Sequence, residues 1–122
     1  MPNPVIHWEL GSSEGAKLAS FYADVFAWHA QEYPGEQPYQ MLDAHHEEYG
    51  INGGIAQDGR HPGIVFYIEV EKIDPFLAKI EEQGGKTVMP RTEAPMVTLA
   101  QFSDPDGHVV GLVEKGSGQQ QG

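Results

Sequence analysis

Alternating apolar and polar residues open the chain and predict a β-strand over Val5–Leu10 with one buried face. Its polar residues, His7 and Glu9, share the opposite face. Apolar residues at helical spacing follow and predict an amphipathic helix that ends near Ala27. This stripe consists of Leu18, Phe21, Tyr22, Val25 and Phe26. One of the two serines just before it is expected to cap the helix N-terminus.

Three shorter strands are predicted after this helix. They cover Trp28–Tyr33, Tyr39–Ala44 and Ile51–Ala56. The polar segment His45–Gly50 between the last two is expected to be a turn or loop. Paired glycines within the third strand suggest a bulge or the close approach of another backbone.

The pattern then restarts with a strand over Ile64–Val70. Asp74 is a suitable N-cap for a second helix, Pro75 suits its first position, and Gly84-Gly85 suits its end. Three strands complete this half: Lys86–Pro90, Val97–Phe102 and His108–Val113. The last two flank Asp-Pro-Asp-Gly at 104–107, where proline, turn-forming aspartates and a glycine predict a hairpin.

The order strand, helix and three strands therefore occurs twice, which predicts an α+β fold built from two βαβββ modules. We place the modules at about 4–57 and 63–115 of one domain, with a flexible tail at 116–122. A ferredoxin-like sandwich also restarts strand-helix-strand, but it has one fewer strand per half. The strand predicted over Ile51–Ala56 argues against it.

Charge and composition restrict the partners. The 18 acidic and seven basic residues give a formal charge of −11, which argues against nucleic acid and anionic membrane surfaces. Cysteine is absent, so disulfides, thiolate nucleophiles and cysteine-bound zinc are excluded. No apolar run is long enough for a membrane span, and the first residues do not resemble a signal peptide. We expect a soluble, cytoplasmic protein.

Several landmarks together resemble the vicinal-oxygen-chelate superfamily, which includes glyoxalase I, extradiol dioxygenases and bleomycin-resistance proteins. They are the strand Val5–Leu10, the helix with Phe21-Tyr22 and Val25-Phe26-Ala27-Trp28, Gly84-Gly85, and Phe102–Leu112. The resemblance covers residues 4 to about 115. It implies a curved eight-stranded mixed sheet around a cup, helices on the convex face, and a homodimer. The residues that would face the cup are His7, Glu9, Tyr67 and Glu69. Those that would pack under the helices are Ile6, Trp8, Leu10, Phe66, Ile68 and Val70.

The same resemblance implies where a divalent metal would bind, because metal-dependent relatives take one ligand from the first and last strand of each module. His7 falls on the first of these positions. Val65 and Gly111 fall on two others, and the fourth lies near Asn52–Ile55, so three positions lack a ligand. We therefore predict no metal site and no cofactor, which disfavours ordinary glyoxalase I or dioxygenase activity.

A relocated metal is the remaining possibility for metal chemistry. The cluster His45-His46-Glu47-Glu48 is rich in ligand atoms, and His61 and His108 are further candidates. A solvated loop explains the cluster more simply, and a turn-capping role explains His108.

Two functions follow from these observations. The first is metal-independent binding of a small molecule, with His7, Tyr67, Trp28, Tyr39 and Met41 as ligand-contacting residues. The second is a lyase or isomerase reaction, in which His7 acts as general acid or base with Glu9 or Glu69, or in which a relocated metal acts. Each aromatic residue in this set could equally belong to the core. An acidic cup would favour neutral or cationic ligands.

Overall fold

The computed structural model describes residues 2–33, 38–56 and 63–117. The predicted order of elements is confirmed. The first module contains β1 (Val5–Gly11), α1 (Gly15–Phe26), β2 (His29–Tyr33), β3 (Tyr39–Asp43) and β4 (Gly53–Ala56). The second contains β5 (Gly63–Val70), α2 (Ile73–Glu82), β6 (Lys86–Glu93), β7 (Thr98–Ser103) and β8 (Val109–Glu114). The chain divides into two compact units: Ile6–Val65, and the chain from Phe66 onward together with the residues before Ile6.

Each module contributes four strands to an eight-stranded mixed sheet, which confirms the predicted α+β class and argues against the ferredoxin-like alternative. The strand order is β2-β3-β4-β1 in the first module and β5-β8-β7-β6 in the second. Within each module the first and last strands pair in parallel, while the other pairs are antiparallel. The last strand of each module therefore lies between its first and third strands.

Each module buries its own apolar core beneath its own helix. In the first, Ala19 of α1 packs with Leu42 and Ile55, and Trp8 and Leu10 cover them. In the second, the buried residues are Val70, Ile73, Leu77, Ala100 and Leu112. Burial of such side chains is the main source of stability in each unit.

Two of the apolar residues expected under the helices lie at the surface instead. Ile6 is 38% exposed and Phe66 is 43% exposed. Both precede the first residue that pairs with the last strand of the module, which is Trp8 in β1 and Tyr67 in β5. The neighbouring strand therefore does not extend the core to them.

The helix α1 is also less covered than its apolar stripe suggests. Phe21, Val25 and Phe26 are each more than half exposed. The helix ends one residue before Ala27, which adopts a left-handed conformation and donates its amide hydrogen to the carbonyl of Ala23.

The predicted N-terminal caps are wrong for both helices. Glu14 occupies the N-cap of α1 without a side-chain cap, and Ser12 accepts a hydrogen bond from the Glu14 amide instead. Lys72 occupies the N-cap of α2, so that Asp74 lies within its first turn. The cap of α2 comes from a distant strand.

Glu114 at the end of β8 completes the N-terminus of α2. Its carboxylate accepts a hydrogen bond of 3.0 Å from the Ile73 amide and bonds of 2.9 and 3.0 Å from Nε and Nη2 of Arg91. These bonds from Arg91, followed by the Ile73 amide, lower the pKa of Glu114 to about 2. The carboxylate thus joins β8, β6 and α2.

The predicted hairpin between β7 and β8 is confirmed. Asp104 accepts hydrogen bonds from the amides of Asp106 and His108, and the Gly107 amide donates to the Asp104 carbonyl at 2.8 Å. Gly107 has a φ of 95°, a conformation in which a side chain is strained.

We expect Glu114→Gln to lower the free energy of unfolding by about 3 kcal/mol at neutral pH, because the ionised carboxylate binds Arg91 and the Ile73 amide more strongly than a neutral group does. The folded pKa of about 2 lies below the ordinary value of 4.5. This contribution is therefore complete above pH 4.5 and is lost as the pH falls toward about 2. Urea unfolding at neutral pH and in acid measures both effects.

Glu93→Gln is the matched control, because Glu93 contacts the same arginine at 3.3 Å but is exposed. We expect it to change stability by less than about 1 kcal/mol. Equal losses in the two variants would contradict the role of Glu114 at the helix N-terminus.

Candidate functional site

The paired glycines of β4 make room for two aromatic rings on opposite faces of the sheet. A Cβ atom at Gly53 would lie 2.1 Å from Cδ2 of Trp8, and one at Gly54 would lie 2.2 Å from Cε2 of Tyr39. Successive residues of a strand point to opposite faces. The close approach predicted for these glycines is therefore made by side chains rather than by another backbone.

Tyr39 crosses β4 at Gly54 and reaches the polar face of β1. Its hydroxyl lies 2.9 Å from Nε2 of His7 and donates a hydrogen bond of 3.0 Å to Oε1 of Glu9. The rings of His7 and Tyr39 are nearly parallel, at 24°, with centroids 6.4 Å apart. The structure thus joins three of the predicted site residues in one hydrogen-bonded chain, which we call the His7–Tyr39–Glu9 chain.

Burial affects the imidazole within this chain. Removal from water disfavours the charged form of histidine, and it lowers the pKa of His7 below its ordinary value of 6.5. At neutral pH His7 is therefore an uncharged side chain that can accept a proton.

Met41 and Trp28, both predicted to contact a ligand, lie in different surroundings. Met41 is on the same face of β3 as Tyr39 and pairs in register with Gly54. Trp28 packs instead against Trp8 and Tyr22, with ring centroids 5.5 and 5.2 Å away, in the aromatic cluster beside α1. A ligand contact by Trp28 stays a prediction.

The other predicted site residues, Tyr67 and Glu69, belong to the second unit. Tyr67 is only 3% exposed, and its hydroxyl accepts a hydrogen bond of 3.1 Å from Nε2 of Gln101. The Glu69 amide donates to the Pro4 carbonyl at 2.9 Å. Ligand binding by Tyr67 and proton transfer by Glu69 stay predictions.

Two contacts of the predicted site residues are missing from the sequence-based predictions. Tyr39 was predicted as a ligand-contacting or core residue, yet its hydroxyl bridges His7 and Glu9. Gln101 was not predicted to contact Tyr67. The glycine doublet in β4 was the available signal for the first contact, because a strand glycine permits a ring to lie across it.

Fold and sequence together identify the family. A sequence model of the Glyoxalase/Bleomycin resistance protein/Dioxygenase superfamily matches residues 5–112, and the chain belongs to this superfamily. The resemblance drawn from the sequence is confirmed. No curated protein matches the chain in sequence.

Several solved structures share the fold at low sequence identity. A methylmalonyl-CoA epimerase bound to methylmalonyl-CoA and NH4+ has a TM-score of 0.72 at 13% identity, covering 95% of this chain and 96% of that one. The methylmalonyl-CoA epimerase of Mycobacterium tuberculosis has a TM-score of 0.66 at 16% identity, with coverages of 90% and 86%. A hypothetical protein from Bacillus halodurans C-125 has a TM-score of 0.73 at 13% identity, with coverages of 94% and 96%.

The superfamily implies a divalent metal, but the residues at the expected positions do not fit one. Val65 is aliphatic and buried, and a Cβ at Gly111 would lie 2.1 Å from Cδ1 of Tyr67. The side-chain oxygen of Asn52 accepts hydrogen bonds from the amides of Ala44 and His45. Of the four positions, only His7 carries a side chain suited to hold a catalytic ion.

A relocated metal finds no assembled ligands in the part of the chain that the structure describes. No three His, Asp or Glu side chains are grouped there for a shared ion. Nδ1 of His45 contacts Asp43 and Asn52 beside a turn closed by His46 and Tyr49, which confirms the predicted loop. His108 binds the Asp104 carboxylate, as expected for a residue of the turn. His61 lies outside the described residues.

Neither helix within 2–33, 38–56 and 63–117 has the length and apolar character needed to cross a bilayer.

We expect burial of neutral His7 to make the fold less stable as the pH falls below 6.5, because the unfolded chain then binds a proton that the folded chain binds less readily. His7→Gln removes this contribution. The melting temperature of the wild type should therefore fall relative to that of His7→Gln as the pH is lowered through this range.

The comparison with His7→Gln also cancels an opposing effect. Hydrogen bonding to Asn52 and the charge of Asp43 raise the pKa of His45, which favours the folded state at lower pH in both proteins. His29→Gln, at an exposed position of β2, controls for the loss of an imidazole. If the melting temperatures of the wild type and His7→Gln changed equally with pH, this would contradict the burial of neutral His7.

Proposed function

We propose that the protein binds a small molecule through the His7–Tyr39–Glu9 chain of its first module, without a divalent metal ion. One observation carries the proposal: a single hydroxyl, that of Tyr39, lies within hydrogen-bonding distance of both His7 Nε2 and Glu9 Oε1. The His7–Tyr39–Glu9 chain groups an imidazole, a phenol and a carboxylate. Met41 adds an apolar side chain on the face of β3 that carries Tyr39. A few convergent polar groups beside apolar surface are typical of small-molecule sites.

The chemistry of the expected metal positions supports binding without a metal. Superfamily members that use a metal need several donor side chains, and one imidazole does not retain a catalytic ion. In this protein the tyrosine hydroxyl connects His7 to a carboxylate.

Charge supports a neutral or cationic ligand. Residues 6–65 include nine of the 18 acidic side chains and two of the seven basic ones. An acidic surface raises the local concentration of cations and repels anions such as coenzyme A esters. The methylmalonyl-CoA bound by one structural neighbour is such an anion.

A second candidate function is proton transfer by His7, in a lyase or isomerase reaction. The lowered pKa of His7 favours it, because a neutral imidazole is a general base at neutral pH. Epimerases among the structural neighbours share the fold, but fold alone does not determine chemistry. The predicted homodimer is retained as part of the proposal, and the exposed apolar residues of α1 are compatible with a partner.

We expect purified protein to hold less than stoichiometric metal and to keep its melting temperature when a chelator is added. In titrations followed by amide NMR signals, metal-free bleomycin serves as a cationic probe and methylmalonyl-CoA as an anionic one. Bleomycin should shift signals of β1 and β3, whereas methylmalonyl-CoA should not.

Glu9→Gln and Glu32→Gln form a matched pair, because each removes one negative charge from the first module. Glu32 is exposed on β2 and accepts a hydrogen bond from Gln40, away from Tyr39. We expect only Glu9→Gln to weaken bleomycin binding, by about tenfold. Tightly bound stoichiometric metal would contradict the proposal. Epimerisation of methylmalonyl-CoA that depends on His7 would favour the second candidate instead.

A further inference from the structure

In each module a tyrosine ring lies against a glycine of the last strand. Tyr39 lies over Gly54 of β4, and Tyr67 lies over Gly111 of β8. A Cβ at these glycines would come within 2.2 Å and 2.1 Å of the respective rings, a separation that real Cβ atoms essentially never show. The absence of a side chain therefore determines where each ring can lie.

The two tyrosines serve different partners. The Tyr39 hydroxyl contacts two ionisable side chains, His7 and Glu9, at 2.9 and 3.0 Å. The Tyr67 hydroxyl contacts a neutral amide, that of Gln101, at 3.1 Å. Only the first arrangement belongs to the candidate site.

We infer that Gly54 is a positioning residue that sets the tautomer of His7 through Tyr39. The inference deepens the proposed function and rests on the same site. A side chain at position 54 would displace the Tyr39 ring from β4, and the contacts of its hydroxyl with His7 and Glu9 would be lost together.

The tautomer follows from counting protons. A tyrosine hydroxyl has one hydrogen, and Tyr39 donates it to Glu9. Nε2 of His7, 2.9 Å away, must then be the donor to the Tyr39 oxygen. In the neutral imidazole the hydrogen is therefore on Nε2, and Nδ1 is the nitrogen that carries none.

This arrangement presents His7 to a ligand in a single neutral tautomer. Without Tyr39 in place, the two neutral tautomers of His7 are no longer distinguished by this contact, and a ligand that needs one of them binds less tightly. Gly54 acts on His7 through the Tyr39 ring that lies over it, so it is a positioning residue rather than a catalytic one.

The test is the tautomer of His7, observed through long-range nitrogen–hydrogen NMR correlations of the imidazole rings. The missing signals of His7→Gln assign the His7 ring. The wild type should show hydrogen on Nε2. In Gly54→Ala and Tyr39→Phe we expect both nitrogen shifts to change, because the hydroxyl that holds the hydrogen on Nε2 is displaced or absent.

Gly111→Ala is the matched control, since it introduces the same methyl group beneath the tyrosine of the other module. Both alanine variants should lower the melting temperature, but only Gly54→Ala should change the His7 signals. Tyr39→Phe keeps the ring and removes only the hydroxyl, so it tests the inference even if Gly54→Ala fails to fold.

Unchanged His7 signals in folded Gly54→Ala or in Tyr39→Phe would overturn the inference, as would equal changes in Gly111→Ala. The outcome is independent of ligand binding. If bleomycin does not bind but the tautomer changes as expected, the proposed function fails in that form and the positioning role stands.

Discussion

The candidate site depends on the contact between an aromatic ring and a strand backbone that has no Cβ atom. Glycine weakens a strand by about 0.5–1 kcal/mol relative to alanine, so its presence in β4 needs a compensating gain. Gly53 provides that gain on the helix-facing side, where Trp8 packs, and Gly54 provides it on the opposite side, where Tyr39 packs. One dipeptide therefore supports both the core of the first module and its polar site.

A contact of the same kind in the second module, between Tyr67 and Gly111, bears on the chemistry that the superfamily implies. A ligand side chain at position 111 would occupy the space of the Tyr67 ring. A donor side chain at this position would thus require moving an aromatic residue that is 3% exposed and hydrogen-bonded to Gln101.

Sequence alone was sufficient for the order of the elements, because alternation and helical spacing report local burial directly. The turn around Gly107 was equally predictable, since its chemistry is contained in four consecutive residues. The helix caps were not, because Glu114 reaches the Ile73 amide from 41 residues away along the chain. The bridge made by Tyr39 was missed for a related reason: alternation assigns a residue to a face of the sheet, but not to the strands that its side chain crosses.

The two modules use one architecture for different chemistry, and burial distinguishes them. Tyr67 and Gln101 are each 3% exposed and form a neutral pair, which suits a region closed to water because no charge has to be desolvated. Tyr39 joins two groups that can both exchange protons, and its contacts are only partly buried. A hydroxyl between an imidazole and a carboxylate can pass a proton in either direction, whereas one beside an amide cannot. This difference in ionisable groups is why the ligand site is proposed in the first module.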